Sequence, residues 1–345
     1  MHGDLRGDEV HVGGDARQRF YDSRGYGRPR SGNEIALSRV EAAHLLFRGD
    51  LESVDGDDFR TFFSRSVGDG FGVRFLVYKD LRERGFYLSP ARDGWVSEPP
   101  AWADFVVYPR GSGPQHGEHE YAIRVVGERE SIPATDLEPG VLAVVDEESE
   151  LTYFRIEQPT LDGTSRQSLP DRVRGEVLAD RVVLWDPPVE LYRKGFFGQP
   201  LDGRESVTGT LQLSLVEGAY LAELGVLDVD GGFEALVSRG QAVEGDRFDR
   251  RLWAYTTLRS RGLVPKTGFK FGADFRTYAH VESVDELGHS ELLVRVLPPE
   301  HTVSPRDLAL DVRLAHGVRK RMVFALAPAN DHTEPSWLAV SRLTP

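Results

Sequence analysis

Two short stretches of this chain carry cations at a density suited to gripping phosphate. Arg259, Arg261, Lys266, Lys270 and Arg276 share residues 259–276 with a single acid, Asp274. Arg313, Arg319, Lys320 and Arg321 form a second run, with no Asp or Glu among residues 313–321. Such local clusters, rather than whole-chain charge, position a nucleic-acid backbone. Lys320 stands out further, because only five of the 42 basic residues are Lys: Lys79, Lys194, Lys266, Lys270 and Lys320. A Lys where this chain would by default use Arg points to a need for a compact point charge. Two titratable groups lie nearby. Taken singly, Tyr278 reads as strand-end packing, His289 as a solvated residue in VDELGHSE, and Lys320 as one cation on a wet helix end. Asp274, Glu282 and Glu291 are conceivable Mg²⁺ ligands, but they lack a tight Asp…Glu-x-Lys arrangement, and Glu291 is followed by two Leu. The chain has no Cys, which excludes disulfides, thiolate metal sites and Cys nucleophiles. GGFEALVSRG and GFKFGADF contain glycines but match neither the dinucleotide nor the P-loop fingerprint.

The formal net charge of −13 argues against nucleic-acid binding until it is divided along the chain. Residues 255–345 carry 12 Lys+Arg against 10 Asp+Glu, a balance of +2. Residues 78–158 carry 8 against 16, a balance of −8. Abundant carboxylate with so little Lys fits a protein kept soluble in concentrated salt, where screening weakens self-repulsion. A GC-rich genome is the other source of an Arg excess. No apolar run reaches the ~20 residues needed to cross a bilayer, and the polar start MHGDLRGDEV is unlike a signal peptide. A cytoplasmic protein is expected.

The elements that must hold these residues occur twice. LYRKGFFGQP (191–200) echoes FYDSRGYGRP (20–29), and LSLVEGAYL (213–221) echoes LSRVEAAHL (37–45). YTTLRSRG (255–262) echoes YKDLRERG (78–85), and ADFRTY (273–278) echoes ADFVVY (103–108). Preserved order at offsets of 170 to 177 residues means a duplication. Within each half, short strands and an apolar-periodic helix precede a second helix with a Gly C-cap signal. In the later half there follow strand-like FKFGADFRTYAHV and ELLVRVLP, a helix begun by Ser304 and Pro305, and two closing strands. The expected fold is mixed α/β, or α+β, in two tandem repeats. Each repeat is read as an αβ subdomain followed by a small mixed-sheet subdomain. The boundaries read as 1–77, 78–160, a polar joint at 161–177, 178–248 and 249–345.

The run RGLVPKTGFKFGADFRTY, then GHSELLVRVLP, then DVRLAHGVRKRMVFAL resembles the catalytic domain of archaeal tRNA-splicing endonucleases. The duplicated layout resembles the two-repeat members of that family, so the likeness extends over nearly the whole chain. Carried across position by position, the family's catalytic tyrosine, histidine and lysine fall on Tyr278, His289 and Lys320. The implied chemistry is attack of an RNA 2′-hydroxyl on the adjacent phosphorus, leaving a 2′,3′-cyclic phosphate and a 5′-hydroxyl. It needs a base, an acid and a cation for the phosphoryl oxygens. A His suits the acid and Lys320 the cation. Tyr278 would be the base, which requires cations such as Lys320 or Arg276 to favour the phenolate.

The same resemblance assigns Arg313 and Trp337 to gripping a flipped-out bulge base, with core packing the other reading of Trp337. Arg276 and Lys270 are the remaining substrate-binding candidates. Asp146, Glu147 and Glu148, with Asp331 and Glu334 as counterparts, would form acidic loops that dock on a neighbouring repeat; an ordinary solvated turn is the alternative. A homodimer is implied, acting on precursor tRNA with a bulge-helix-bulge shape, without metal or cofactor. In the first repeat Tyr108 matches Tyr278 and His119 falls near His289, but residues 80–193 contain no Lys, so this copy is expected to be silent. A metal-dependent restriction-type nuclease and a non-catalytic RNA-binding scaffold are the rival readings.

Overall fold

The computed structural model describes every residue except 67, 69, 167–168, 204–208 and 329–334. The first repeat opens with strands β1 (His2–Arg6), β2 (Glu9–Val12) and β3 (Ile35–Ser38), flanked in one five-stranded sheet by Arg28–Pro29 and Ser53–Val54. Helix α1 (Arg39–Phe47) begins directly after β3. Ser38 caps it, and Glu41 three residues on returns a bond to the Ser38 amide, closing a capping box. Glu41 is fully buried and also accepts from the Gly27 N–H at 2.7 Å. A Cβ at Gly27 would sit 2.5 Å from the Ala36 carbonyl, and its φ is +68°, so only glycine brings the amide to that carboxylate. The second repeat rebuilds this with β9 (Val173–Val177), β10 (Arg181–Leu184), β11 (Leu211–Ser214) and helix α3 (Leu215–Glu223). There Ser214 is the cap, Glu217 closes the box and Gly198 supplies the amide at 3.0 Å.

After each such unit comes a helix and then five strands. In the first repeat these are α2 (Phe71–Glu83), β4 (Leu88–Pro90), β5 (Phe105–Val107), β6 (Tyr121–Gly127), β7 (Gly140–Val145) and β8 (Leu151–Glu157). In the second they are α4 (Asp246–Ser260), β12 (Val264–Thr267), β13 (Phe275–Tyr278), β14 (Leu292–Leu297), β15 (Arg321–Leu326) and β16 (Ser336–Leu343). Helix α5 (Pro305–Gly317) stands between β14 and β15, with Ser304 as N-cap and Pro305 in its first turn.

The ten strands form one sheet, in the order β12-β13-β14-β15-β16-β8-β7-β6-β5-β4. The seam is the antiparallel pair β16·β8, where Val340 faces Ile156. Counting from the aligned strands, these two are equivalent positions, so a pseudo-two-fold axis passes between them. A second cross-repeat contact, Val303 opposite Ile132, obeys the same symmetry. One apolar cluster serves both halves here, and includes Phe154, Ile156, Leu338 and Val340. The other face of each half packs against its own helices. Strands covered on both faces show no polar alternation, which is why a continuous sheet could not be anticipated.

Residues 161–165 of the polar joint are tied to the second repeat. Gly163 and Ser165 donate backbone N–H bonds to Arg261 and Gly262, Thr164 donates to Ala279, and Leu161 is buried in the second repeat's core. Strand β9 begins within the same stretch.

Candidate active site

Three neighbouring strand ends bring the chemistry-bearing residues to one edge of the sheet. β13 and β14 are antiparallel, and β14 and β15 parallel. The ladder continues one step past the strands: Glu291 N–H donates to the Thr277 carbonyl, and Arg321 N–H donates to the Glu291 carbonyl. Tyr278, Ser290 and Lys320 are therefore the next residues outward along three adjacent chains, with His289 just beyond Ser290. The Lys320 ammonium donates to the Ser290 carbonyl at 2.6 Å, which clamps two of these chains together. It also lies 5.9 Å from the centre of the Phe271 ring, a cation–π distance. Burial, then the charge of Arg276, hold the Lys320 ammonium below the usual lysine value, with Glu291 opposing them. The Arg276 guanidinium sits 5.7 Å from the Tyr278 ring centre, so Tyr278, Arg276 and Lys320 form one group. His289 is exposed, whereas the Tyr278 side chain is largely buried, edge-on to Phe196 at 5.6 Å.

Among the described residues none of Lys270, Arg276 and Lys320 has an acidic partner at ion-pair distance, although most Arg of this chain are paired. Other members of the 259–276 cluster are structural. Lys266 donates to Glu217 Oε1 at 2.6 Å and to the Gly198 carbonyl at 3.0 Å. Burial alone would raise the Glu217 carboxyl, but Lys266, with the Ser214 and Gly198 amides, brings it below the ordinary range. Arg259 bonds the Tyr255 hydroxyl and the Gly195 carbonyl while lying 3.9 Å from the Phe197 ring centre. Sequence spacing registers these as free cations because Glu217 and Gly198 lie far along the chain from Lys266, and Gly195 from Arg259.

Asp274 is equally committed. Its Oδ1 accepts from Arg247 and faces Arg251, and its Oδ2 accepts from the Val296 amide at 2.8 Å. Asp104 repeats the pattern with Arg74 and the Val125 amide at 2.7 Å. An acid clasped identically in both halves is a fold element, so it does not serve the metal-nuclease reading.

The other candidates separate. Arg313 is exposed on α5, beside a cleft of about 460 Å³ that it shares with Arg306, His316 and Arg342. Trp337 does not stand ready to stack on a base. It is 7% exposed and belongs to the second repeat's core with Ala325 and Ala339, because that alternate set of β16 points inward. Asp146, Glu147 and Glu148 form the turn between β7 and β8. Asp146 Oδ1 accepts from the Glu148 and Glu150 amides at 2.9 Å, Glu147 pairs with Arg129, and Glu148 faces solvent. Asp331 and Glu334 lie outside the described residues.

Superposing the two ladders fixes the equivalences. Asp274 accepts its amide two residues beyond Val294 and Asp104 two beyond Ile123, so Val294 matches Ile123. Val323 pairs with Val294 and Val141 with Ile123. Counting back three residues, Lys320 corresponds to Glu138, an inversion of charge that an alignment gap had hidden. In place of α5 the first repeat has a three-residue turn, Ala134–Asp136. Tyr108 matches Tyr278 but is sealed in a separate cluster, its hydroxyl donating to Ser89 at 3.1 Å.

Two family models match this chain. One, the N-terminal domain of the tRNA intron endonuclease, covers residues 1–63 and 173–238. The other, the catalytic C-terminal domain of the tRNA intron endonuclease, covers residues 71–142 and 248–334. This chain belongs to the tRNA intron endonuclease family. Among the relatives of this tRNA intron endonuclease, the tRNA-splicing endonuclease of Haloarcula marismortui is 60% identical over 342 residues, spanning 99% of both chains. That of Halobacterium salinarum is 58% identical over the full length of both. That of Methanosarcina acetivorans is 38% identical over 94% of this chain and 95% of its own. The acidic, Lys-poor composition agrees with haloarchaeal relatives. No helix among the described residues is long and apolar enough to cross a membrane.

Proposed function

We propose that this enzyme excises introns from precursor tRNA at bulge-helix-bulge sites, in the cytoplasm, by metal-independent transesterification. The RNA 2′-hydroxyl attacks the adjacent phosphorus and the bond to the 5′-oxygen breaks, giving a 2′,3′-cyclic phosphate and a 5′-hydroxyl. One observation carries this reading: Tyr278, His289 and Lys320 come from three adjacent strand ends beside the unpaired cation Arg276. Lys320, oriented by Ser290 and Phe271, neutralises charge gathering on the phosphoryl oxygens. His289, solvent-exposed, is the general acid that protonates the departing 5′-oxygen. Tyr278, beside Arg276, takes the 2′-hydroxyl proton. Arg313, on the exposed side of α5, contacts the bulge.

We further read the working form as a homodimer in which the 146–148 turn of one copy docks on a basic region of the other. The solvent-facing carboxylate of Glu148 suits that contact. The test is incubation of an intron-containing precursor tRNA with wild type and His289→Ala in EDTA, followed by end-group analysis. Wild type is expected to cut fully, leaving cyclic phosphate ends, and His289→Ala to cut far more slowly. Fragments with 3′-hydroxyl ends, or cutting abolished by EDTA, would overturn the mechanism. Sedimentation of the wild type at the mass of one chain would overturn the dimer.

A further inference from the structure

Beside the strand-end residues lies a cleft of about 570 Å³, within the size range of small-ligand sites. It opens where the second repeat's first unit meets β12 and β13. Its floor includes the Lys266–Glu217 pair, and its rim carries Phe269, Lys270, Phe271 and Arg276. Phe269 is 86% exposed, the highest value among the described large hydrophobic residues, against 59% for Trp185 and 57% for Leu201. Leaving a Phe side chain in water forgoes the free energy of burying it.

The exposure is built in by the backbone. Phe269–Phe271 is a single 3₁₀ turn, entered through Gly268 and left through Gly272. Gly268 N–H donates to the Asp274 carbonyl, its own carbonyl accepts from Phe271, and Thr267 Oγ1 accepts from the Phe269 amide. A Cβ at Gly268 would meet the Ala273 carbonyl oxygen at 2.8 Å, so the turn closes only with glycine there. The same turn sends Phe271 toward Lys320 and leaves Phe269 in solvent.

Charge indicates the occupant. Asp180 near the cleft is engaged by Arg181, and Glu217 by Lys266. What remains uncompensated among the described residues is Lys270 and Arg276, and the Arg276 Nε is buried with no hydrogen-bond partner. An aromatic face flanked by unmatched cations is what a single-stranded nucleotide needs, stacking for the base and charge for the phosphate. In concentrated salt the Debye length falls to about 3 Å, so a stacking contact keeps its strength where phosphate contacts weaken.

We propose that this cleft binds one unpaired nucleotide of the substrate RNA next to the cleaved bond. Its base stacks on Phe269, and its phosphate lies between Lys270 and Arg276. The proposal rests on the endonuclease reading above and adds a subsite to it, separate from Arg313.

The experiment uses the full-length chain and a bulge-helix-bulge RNA carrying 2-aminopurine at one bulge position at a time. His289→Ala serves as the slow-cutting background for the fluorescence measurement, and single-turnover rates are read in chains that keep His289. At one position fluorescence is expected to be quenched on binding. Phe269→Ala should remove that quenching and raise the single-turnover half-saturation concentration about tenfold, with the maximal rate within about twofold. Phe269→Trp should restore both. Quenching and half-saturation unchanged in Phe269→Ala would overturn the proposal while wild-type cutting left the endonuclease reading intact. Failure of wild type to bind or cut would instead remove the reading beneath it. A change of sedimenting mass in Phe269→Ala would assign the ring to a contact between copies and overturn the nucleotide assignment.

Discussion

The two nuclease-like halves share one sheet and one Asp clasp, yet only one of them presents cations at its strand ends. Where β15 is preceded by a full helix and Lys320, β7 is preceded by a three-residue turn and Glu138. Where Tyr278 sits beside Arg276, Tyr108 is locked to Ser89. The units that precede them differ as well. Glu217 is matched by Lys266, whereas burial raises the carboxyl of Glu41, offset only in part by the Gly27 and Ser38 bonds. A duplicated chain thus contains its own control. Features present in both copies hold the fold, and features confined to one are the candidates for chemistry.

The sharpest way to break the comparison is at its charge inversion. Lys320→Ala is expected to slow single-turnover cleavage about 10²–10³-fold, while RNA binding measured by filter retention changes little. Glu138→Ala should leave the rate unchanged, and equal effects from the two would erase the distinction. The buried carboxylates come next. Glu217→Gln strands Lys266 in the interior and should cost about 3–5 kcal/mol, read from the denaturant midpoint. Glu41→Gln, with no partner cation to strand, should cost less than about 1.5 kcal/mol.

A pH experiment separates the same two units. His44 is buried against Tyr26, and burial followed by nearby Arg charges depresses its pKa to about 3. The folded state therefore binds fewer protons than the unfolded chain between about pH 3 and 6.5. His44 lowers stability as pH drops through that window, by up to about 1.4 kcal/mol per unit, while the raised carboxyl of Glu41 acts in the opposite sense. The equivalent residue of the second repeat, Tyr220, carries no such group. Between about pH 6.5 and 4.5, above the range in which the depressed Glu217 carboxyl is lost, hydrogen exchange should show α1 opening before α3, and His44→Phe should narrow the gap. The smallest effect is expected at the seam's exposed ion pair, Arg321 with Glu157. Arg321→Ala should cost less than about 1 kcal/mol in a thermal melt.

Much of this was legible in residue order. The repeats, the α5 cap at Ser304 and Pro305 and the strands around Tyr278 all carry local signals, and local signals survive in a sequence. The family resemblance rested on the same segments, and the family models agree with it. What escaped was long-range. Lys266 looked like a phosphate cation because Glu217 is 49 residues away. Trp337 looked available because β16 is buried on both faces and gives no inward–outward pattern. Glu138 stayed hidden because the missing helix removes the landmark that would align it. The role of Phe269 is invisible to spacing, since only the folded turn shows that its ring is left outside.

The pairing of Val340 with Ile156 has a consequence for how the molecule behaves on dilution. Two halves that meet through equivalent residues would, as separate chains, associate only above some threshold concentration. Joined end to end, they meet at an effective concentration set by the tether and independent of how many molecules the cell makes. Each substitution also enters once rather than twice. One half is thereby free to lose its cations while the other keeps them, without either half losing its companion.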